Sequence, residues 1–154
     1  MKFPILNSSV DLSNAERIES LKAGMIAALA LTVTYIAIAA VNALVLAVEF
    51  EPLRGLQLSI GINLLVRVAI AFLSGFLFGI TYRYVIREDK NSHLKDGAVL
   101  AFGLVRGLAP VEAVQPITWL LAIFGIESIL CFWVARLTLD WAIERNWVKL
   151  FKSA

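Results

Sequence analysis

Three charged residues stand inside otherwise apolar stretches of this chain. Arg67 and Arg106 carry guanidinium groups, and Glu127 carries a carboxylate. Since a carboxylate can accept paired hydrogen bonds from a guanidinium, one interpretation is structural: Glu127 bridges both arginines and locks their helices in register. The other interpretation is functional: two positive charges against one negative leave a cation for an anion, or the three groups form part of a proton path.

Two asparagines accompany these charges. Asn63 lies one helical turn before Arg67 on the same helix face, and Asn42 is placed to meet Asn63 across a helix interface. A water-accessible cavity that reaches these residues would favour transport, whereas a dry and fully paired set would favour the structural interpretation. We call the five residues the polar layer: Arg67, Arg106, Glu127, Asn63 and Asn42.

The sequence lacks the residue sets that enzymes and cofactors usually require. Its single histidine and single cysteine, His93 and Cys131, cannot form a paired-histidine metal site, a haem-attachment motif or an iron–sulfur motif. No G-x-S-x-G, G-x-G-x-x-G or P-loop pattern occurs. We therefore predict that the chain is not an enzyme and that it holds no metal and no cofactor.

The composition indicates a membrane protein. Of 154 residues, 60% are hydrophobic and 17% are charged, whereas soluble domains are about 45–50% apolar and about 25% charged. A soluble fold of this size cannot bury so much apolar side chain, but a lipid bilayer can cover it. The net charge of +2, with no basic patch, gives no reason to expect a nucleic-acid partner.

Long apolar runs predict four membrane spans, because a helix needs about 20 residues to cross the hydrocarbon core. The last two runs are shorter or carry charges, so they could instead form one re-entrant hairpin. At about 1.5 Å rise per residue, Arg67, Arg106 and Glu127 each lie roughly 14–17 Å from the predicted outer helix ends, near the membrane midplane. The predicted spans are about 23–48, 56–82, 97–115 and 117–139.

Basic residues predict the orientation of these spans. Ten Lys and Arg residues lie in 1–22, 83–96 and 140–154, and the opposite side has only Arg54. Cytoplasmic flanks collect Lys and Arg, so we predict that these three segments, and with them both termini, are cytoplasmic.

Short interfacial helices are predicted at both ends of the chain. Ser13 and Glu16 have the spacing of a capping box and precede an apolar stripe. The C-terminal tail mixes apolar and charged residues. Aromatic residues with a polar tip favour the headgroup level, and those predicted to anchor the chain at the cytoplasmic interface are Tyr82, Tyr84, Trp141 and Trp147.

Two glycine pairs at four-residue spacing, Gly75–Gly79 and Gly103–Gly107, predict faces where helix backbones approach closely. Such faces serve packing within the chain or with other chains. Short matches between the two halves, such as residues 21–24 with 94–97, suggest a 2+2 internal repeat of the parallel kind found in some transporters.

Six short segments of the chain carry a resemblance to other membrane proteins: 16–18, 20–22, 81–84, 87–91, 94–97 and 101–107. They resemble a family of small polytopic membrane proteins of cyanobacteria and plastids. The shared residues form no motif with a known chemistry. The resemblance implies a thylakoid or bacterial inner-membrane location and a role beside larger complexes.

Together, these patterns predict an all-α integral membrane protein: a bundle of about four transmembrane helices with short interfacial helices at both ends. The small size and the missing catalytic set favour an accessory or assembly protein that contacts other integral membrane proteins, or further copies of itself, through its small-residue faces. The alternative is a small transporter or channel subunit that uses the polar layer for an anion or a proton.

Overall fold

The computed structural model describes the backbone of residues 5–49, 57–86, 92–109 and 118–149, and the side chains of 14–44, 63–86, 93–109 and 122–149. Within these ranges the chain is helical and contains no strand. The four helices are α1 (Ile5–Glu49), α2 (Gln57–Val85), α3 (Ser92–Leu108) and α4 (Thr118–Glu144).

Three helices are long and apolar enough to cross a membrane. In α1, α2 and α4 the qualifying segments are Asn14–Leu44, Asn63–Val85 and Ala122–Glu144 among the residues described. Large side chains on these helices, such as Leu29, are exposed at the bundle surface. These findings confirm the predicted all-helical, multi-pass membrane character.

The third helix differs from its prediction. It starts at Ser92, five residues before the predicted span, and its 17 residues reach only about 25 Å at 1.5 Å per residue. The hydrocarbon core is about 30 Å thick, so a full crossing by this segment stays a prediction. Pro110 and Pro116 predict a kink near the end of this helix, but both prolines, and Glu112 between them, lie outside the described residues.

The predicted N-terminal interfacial helix is not a separate element. Ser13 does not cap a helix, because α1 runs without a break from Ile5 to Glu49 over 45 residues. The segment contains no proline and a single glycine, Gly24, so nothing in it stops a helix that has started.

The predicted C-terminal interfacial helix is replaced, in residues 145–149, by a turn. Asn146 has a φ of 60°, its N–H donates to the carbonyl of Ile143, and the N–H of Trp147 donates to the carbonyl of Ala142, both at 2.9 Å. This pair of bonds is a Schellman cap. Trp147 also packs against Trp141, with ring centroids 5.1 Å apart, which is the apolar contact that accompanies such a cap.

Small residues bring α1 and α2 together in antiparallel packing. A Cβ added to Gly75 would lie 2.8 Å from the Cα of Ala28, and one added to Gly79 would lie 2.7 Å from the Cβ of Ala27. These distances are too short for real Cβ atoms, so the close approach requires glycine at both positions.

The second glycine pair does the same between α3 and α4. A Cβ on Gly103 would lie 2.9 Å from the Cα of Ile129, and one on Gly107 would lie 2.7 Å from the Cα of Gly125. Both glycine pairs therefore pack within the chain. They lie on the second helix of the first hairpin but on the first helix of the second hairpin, so they do not occupy matching positions; the internal repeat stays a prediction.

Helix α1 also packs against α4, and α2 contacts α3, which closes the bundle. An aromatic cluster fills its middle: Phe78 packs against Phe102 and Phe132 with centroid distances of 5.5 and 5.1 Å. One end of the bundle contains Glu16, the last residues of α2 and α4, and the first residues of α3. We call it the terminal end. The opposite end, where α1 closes and α2 begins, is the hairpin end.

Candidate functional site

Two adjoining cavities lie between the aromatic cluster and the hairpin end. The first has a volume of about 380 Å³, is partly open, and reaches Ile70 and Cys131. The second has a volume of about 490 Å³ and extends toward the hairpin end. The cavities share five lining residues and so form one continuous space: Tyr35, Ile38, Arg67, Phe124 and Glu127.

All five residues of the polar layer line this space. Arg106 lines the first cavity, and Asn42 and Asn63 line the second. The arrangement follows from the helix packing, because α1 and α2 run antiparallel and bring Asn42 to the level of Asn63. The three helices α2, α3 and α4 each contribute one charged residue.

The predicted bridge from Glu127 to both arginines is not formed. The Glu127 carboxylate instead accepts a hydrogen bond from Asn42, with 2.9 Å between Nδ2 and Oε1. No ion pair within 4.0 Å joins Glu127 to Arg67 or Arg106 among the described side chains. The contacts of α1 with Gly75 and Gly79 set its register and so bring the Asn42 amide beside the Glu127 carboxylate. Both arginines line the cavity.

Arg106 is held by an aromatic ring. Its guanidinium carbon lies 5.0 Å from the centroid of the Tyr35 ring, a distance at which a cation is attracted to the ring face. Its Nε is buried and has no hydrogen-bond partner, and the same is true of the Ser128 hydroxyl. Both side chains line the first cavity, so two buried donors adjoin this space without an acceptor.

Apolar side chains form most of the remaining wall. Ile38 and Phe124 border both cavities, and Ile70 lies deeper. On the terminal side the helices continue into the aromatic cluster, where Phe78 and Phe132 are fully buried. The space is therefore a mostly apolar chamber with two cations and one carboxylate.

A buried arginine at the start of the predicted cytoplasmic segment 83–96 organises the terminal end. Arg83 is 1% exposed. Its Nε donates to the carbonyl of Lys149 at 2.8 Å, and its Nη1 donates to the Ser20 hydroxyl at 2.6 Å. It also forms an ion pair with Glu16. One side chain thus joins α1, α2 and the C-terminal tail.

A second polar cluster, centred on Asp140, joins α2, α3 and α4. The carboxylate accepts hydrogen bonds from the Tyr82 hydroxyl at 2.8 Å and from Lys95 at 3.0 Å. Arg136, which lies within the fourth predicted span, pairs with Asp96 and lies 3.7 Å from Asp140. Tyr82 is fully buried, so its predicted role as an interfacial anchor is wrong.

Sequence position alone gave no signal for these two clusters. A cation or a tyrosine just beyond an apolar run is usually exposed to solvent or lies at the headgroup level. Arg83 and Tyr82 have such sequence positions, and they are buried because other helices pack around them. Within the described residues, no group of three His, Cys, Asp or Glu side chains could hold a metal ion.

No protein-family model, no curated protein and no solved structure matches this chain. The resemblance to thylakoid membrane proteins therefore stays a prediction, and the function has to be argued from the chamber and its charges.

Proposed function

We propose that this chain is a small membrane transporter or channel subunit that binds an anion in the chamber around Arg106. The observation that carries the proposal is Arg106, whose Nε is buried without a hydrogen-bond partner and whose side chain lines a partly open cavity of about 380 Å³. Ionisable residues at membrane depth face cavities or partners and mark substrate or ion pathways.

The charges of the chamber support an anion as the ligand. Arg67 and Arg106 supply two positive charges, and Glu127 supplies one negative charge that accepts a hydrogen bond from Asn42. Two unit charges 4 Å apart interact by about 4 kcal/mol at an effective dielectric constant of 20. An anion beside Arg106 would therefore offset much of the cost of holding this cation away from water.

The accessory or assembly role is less well supported by the packing. Its contacts were expected on the small-residue faces, but Gly75, Gly79, Gly103 and Gly107 all meet other helices of the same chain. A partner protein would have to contact another surface. The described helices expose many large apolar side chains, and lipid covers such a surface equally well.

The predicted orientation of the chain indicates toward which side of the membrane the chamber extends. With both termini cytoplasmic, in a bacterial inner membrane or a thylakoid, the terminal end faces the cytoplasm and the chamber extends toward the opposite side. The aromatic cluster then separates the ligand from the cytoplasm, as expected for a carrier whose site is reached from one side at a time.

Anion uptake into proteoliposomes tests this proposal. The purified protein is reconstituted and the entry of labelled chloride, inorganic phosphate and benzoate is followed. We expect at least one anion to enter faster than into protein-free liposomes. Arg106→Gln should abolish most of that uptake, since it removes the charge that meets the anion.

The matched control is Arg17→Gln, which neutralises an exposed arginine at the terminal end and should leave uptake unchanged. Uptake that never exceeds the protein-free level, or that Arg106→Gln and Arg17→Gln reduce equally, would contradict the proposal.

A further inference from the structure

We infer that the chamber takes an organic monoanion, with one carboxylate or phosphodiester group beside Arg106 and Ser128 and an apolar body along the Ile38–Phe124 wall. The inference rests on the proposed function and narrows it, because the geometry of the chamber favours organic monoanions over inorganic anions and protons.

The position of the charged group follows from the unpartnered donors. Arg106 Nε and Ser128 Oγ are buried and have no hydrogen-bond partner, and both residues line the same cavity. Ser128 is 5% exposed, so its hydroxyl cannot rely on bulk water. A buried donor without an acceptor is costly, and an oxyanion can accept from a guanidinium and a hydroxyl together. The ligand's negative group therefore belongs at this deep part of the chamber.

The rest of the chamber wall indicates that the uncharged part of the ligand is apolar. Ile38, Ile70 and Phe124 offer apolar surface and no hydrogen bonds. A small inorganic anion beside Arg106 and Ser128 would leave this apolar wall uncovered, whereas an apolar body on the ligand gains free energy in proportion to the apolar area removed from water. Organic ligands commonly occupy cavities of about 300–1,000 Å³, and the first cavity alone has about 380 Å³.

The charge count limits the ligand to a single negative charge. Two arginines and one glutamate leave one uncompensated positive charge in the chamber. The Glu127 carboxylate lines both cavities, so a second negative group along the ligand would be repelled by it. Dianions such as hydrogen phosphate are therefore expected to bind less well than a monocarboxylate of matching size.

Binding to the purified wild-type protein tests the ligand class without any substitution. Isothermal titration in phosphatidylcholine nanodiscs compares benzoate and hexanoate with benzamide, chloride and inorganic phosphate. Benzamide has nearly the shape of benzoate but no charge, and chloride has the charge but no body. We expect benzoate and hexanoate to bind at least about tenfold more tightly than the other three, because a hydrogen bond to a charged group contributes about 1.5 kcal/mol or more.

Variants then locate the charged group. Arg106→Gln should weaken benzoate binding about tenfold or more, and Ser128→Ala should weaken it by a smaller factor, since it removes one neutral donor. Arg17→Gln is the matched control and should bind benzoate like the wild type.

The same chemistry occurs in an anionic lipid, whose phosphodiester group also carries one charge on an apolar body. Nanodiscs that contain phosphatidylglycerol separate the two sources. If phosphatidylglycerol lowers the apparent affinity for benzoate by a larger factor in the wild type than in Ser128→Ala, the natural occupant is a lipid headgroup. If it has no effect on the wild type, the natural occupant is a soluble organic anion.

Two results would overturn the inference in distinguishable ways. If chloride or inorganic phosphate binds as tightly as benzoate and depends on Arg106, the anion site stands and the organic ligand class is wrong. If no anion binds in an Arg106-dependent manner, the proposed function fails together with the inference.

Discussion

At the scale of single residues, two arginines in apolar surroundings have different roles because their neighbours differ. Arg83 is 1% exposed and donates hydrogen bonds to oxygen atoms of Glu16, Ser20 and Lys149, so its charge stabilises the fold. Arg106 lies over the Tyr35 ring and has a buried Nε without a partner, and we propose that its charge binds a ligand.

Replacing Arg83 tests the first of these roles. Arg83→Met leaves the Glu16 carboxylate without its ion-pair partner and removes the link to the C-terminal tail. We expect the free energy of unfolding to fall by about 1–3 kcal/mol, because the acceptor groups of Ser20 and Lys149 lose their hydrogen bonds to a charged donor. Thermal unfolding in mild detergent measures this loss.

The control for this experiment is Arg145→Met. Arg145 is exposed and stacks on Trp141, with its guanidinium carbon 5.1 Å from the ring centroid, and we expect its loss to change stability little. Equal melting temperatures for Arg83→Met and Arg145→Met would show that the buried network does not stabilise the bundle.

At the scale of elements, glycines determine how closely the helices approach and therefore which side chains share a level. Gly79 lies against the backbone of Ala23, and this contact fixes the register of α1 on α2. The same register carries Asn42 to Glu127. The polar layer is thus a consequence of packing at a point several helical turns away.

A matched pair of glycine substitutions tests this packing. Gly79→Ala places a methyl group against the Ala23 backbone, and we expect a loss of about 1–3 kcal/mol from overpacking. Gly97→Ala adds the same group where nothing lies within 4 Å, so in helix α3 it should be neutral or stabilising by up to about 1 kcal/mol. Thermal unfolding of both variants gives the comparison, and equal melting temperatures would contradict the close packing.

The end of α4 supports a separate prediction. Asn146 adopts a φ of 60° in the Schellman cap, a conformation that costs most residues roughly 1–2 kcal/mol and costs glycine little. Asn146→Ala should therefore lower stability by about 1 kcal/mol, and Asn146→Gly should match or exceed the wild type. An alanine variant as stable as the glycine variant would argue against the left-handed cap.

At the scale of the whole molecule, antiparallel packing places Arg83 and Asp140 at one end and Asn42 and Asn63 at the other. Networks centred on Arg83 and Asp140 close the terminal end, the aromatic cluster fills the middle, and the chamber extends toward the hairpin end. A chamber closed toward one end suits a site that is reached from a single side of the membrane.

Reporter fusions test the orientation of this arrangement. Basic residues predict that fusions after Asp89 and after Ala154 report the cytoplasm and that one at Gly55 reports the opposite side. This outcome requires α3 and α4 together to cross an even number of times. A fusion after Asp89 that reports the outside would contradict the topology and reverse the direction of the chamber.

The sequence by itself determined the all-helical, membrane-type character of the chain. Apolar runs such as Ala23–Val48 contain no charged residue, and in lipid a single spanning segment can satisfy its backbone hydrogen bonds only as a helix. The sequence also predicted similar depths for Arg67, Arg106 and Glu127 from their positions along helices of fixed rise, and all three line the first cavity.

Only the tertiary structure decided which of these charges have partners. Pairing depends on the rotation and register of each helix against its neighbours, and contacts such as Gly79 against Ala23 set both. Spacing along the chain cannot show that Asn42, and not an arginine, reaches Glu127, or that Arg83 is enclosed by the tail. These pairings are properties of the assembled bundle, since they join residues that lie far apart in the sequence.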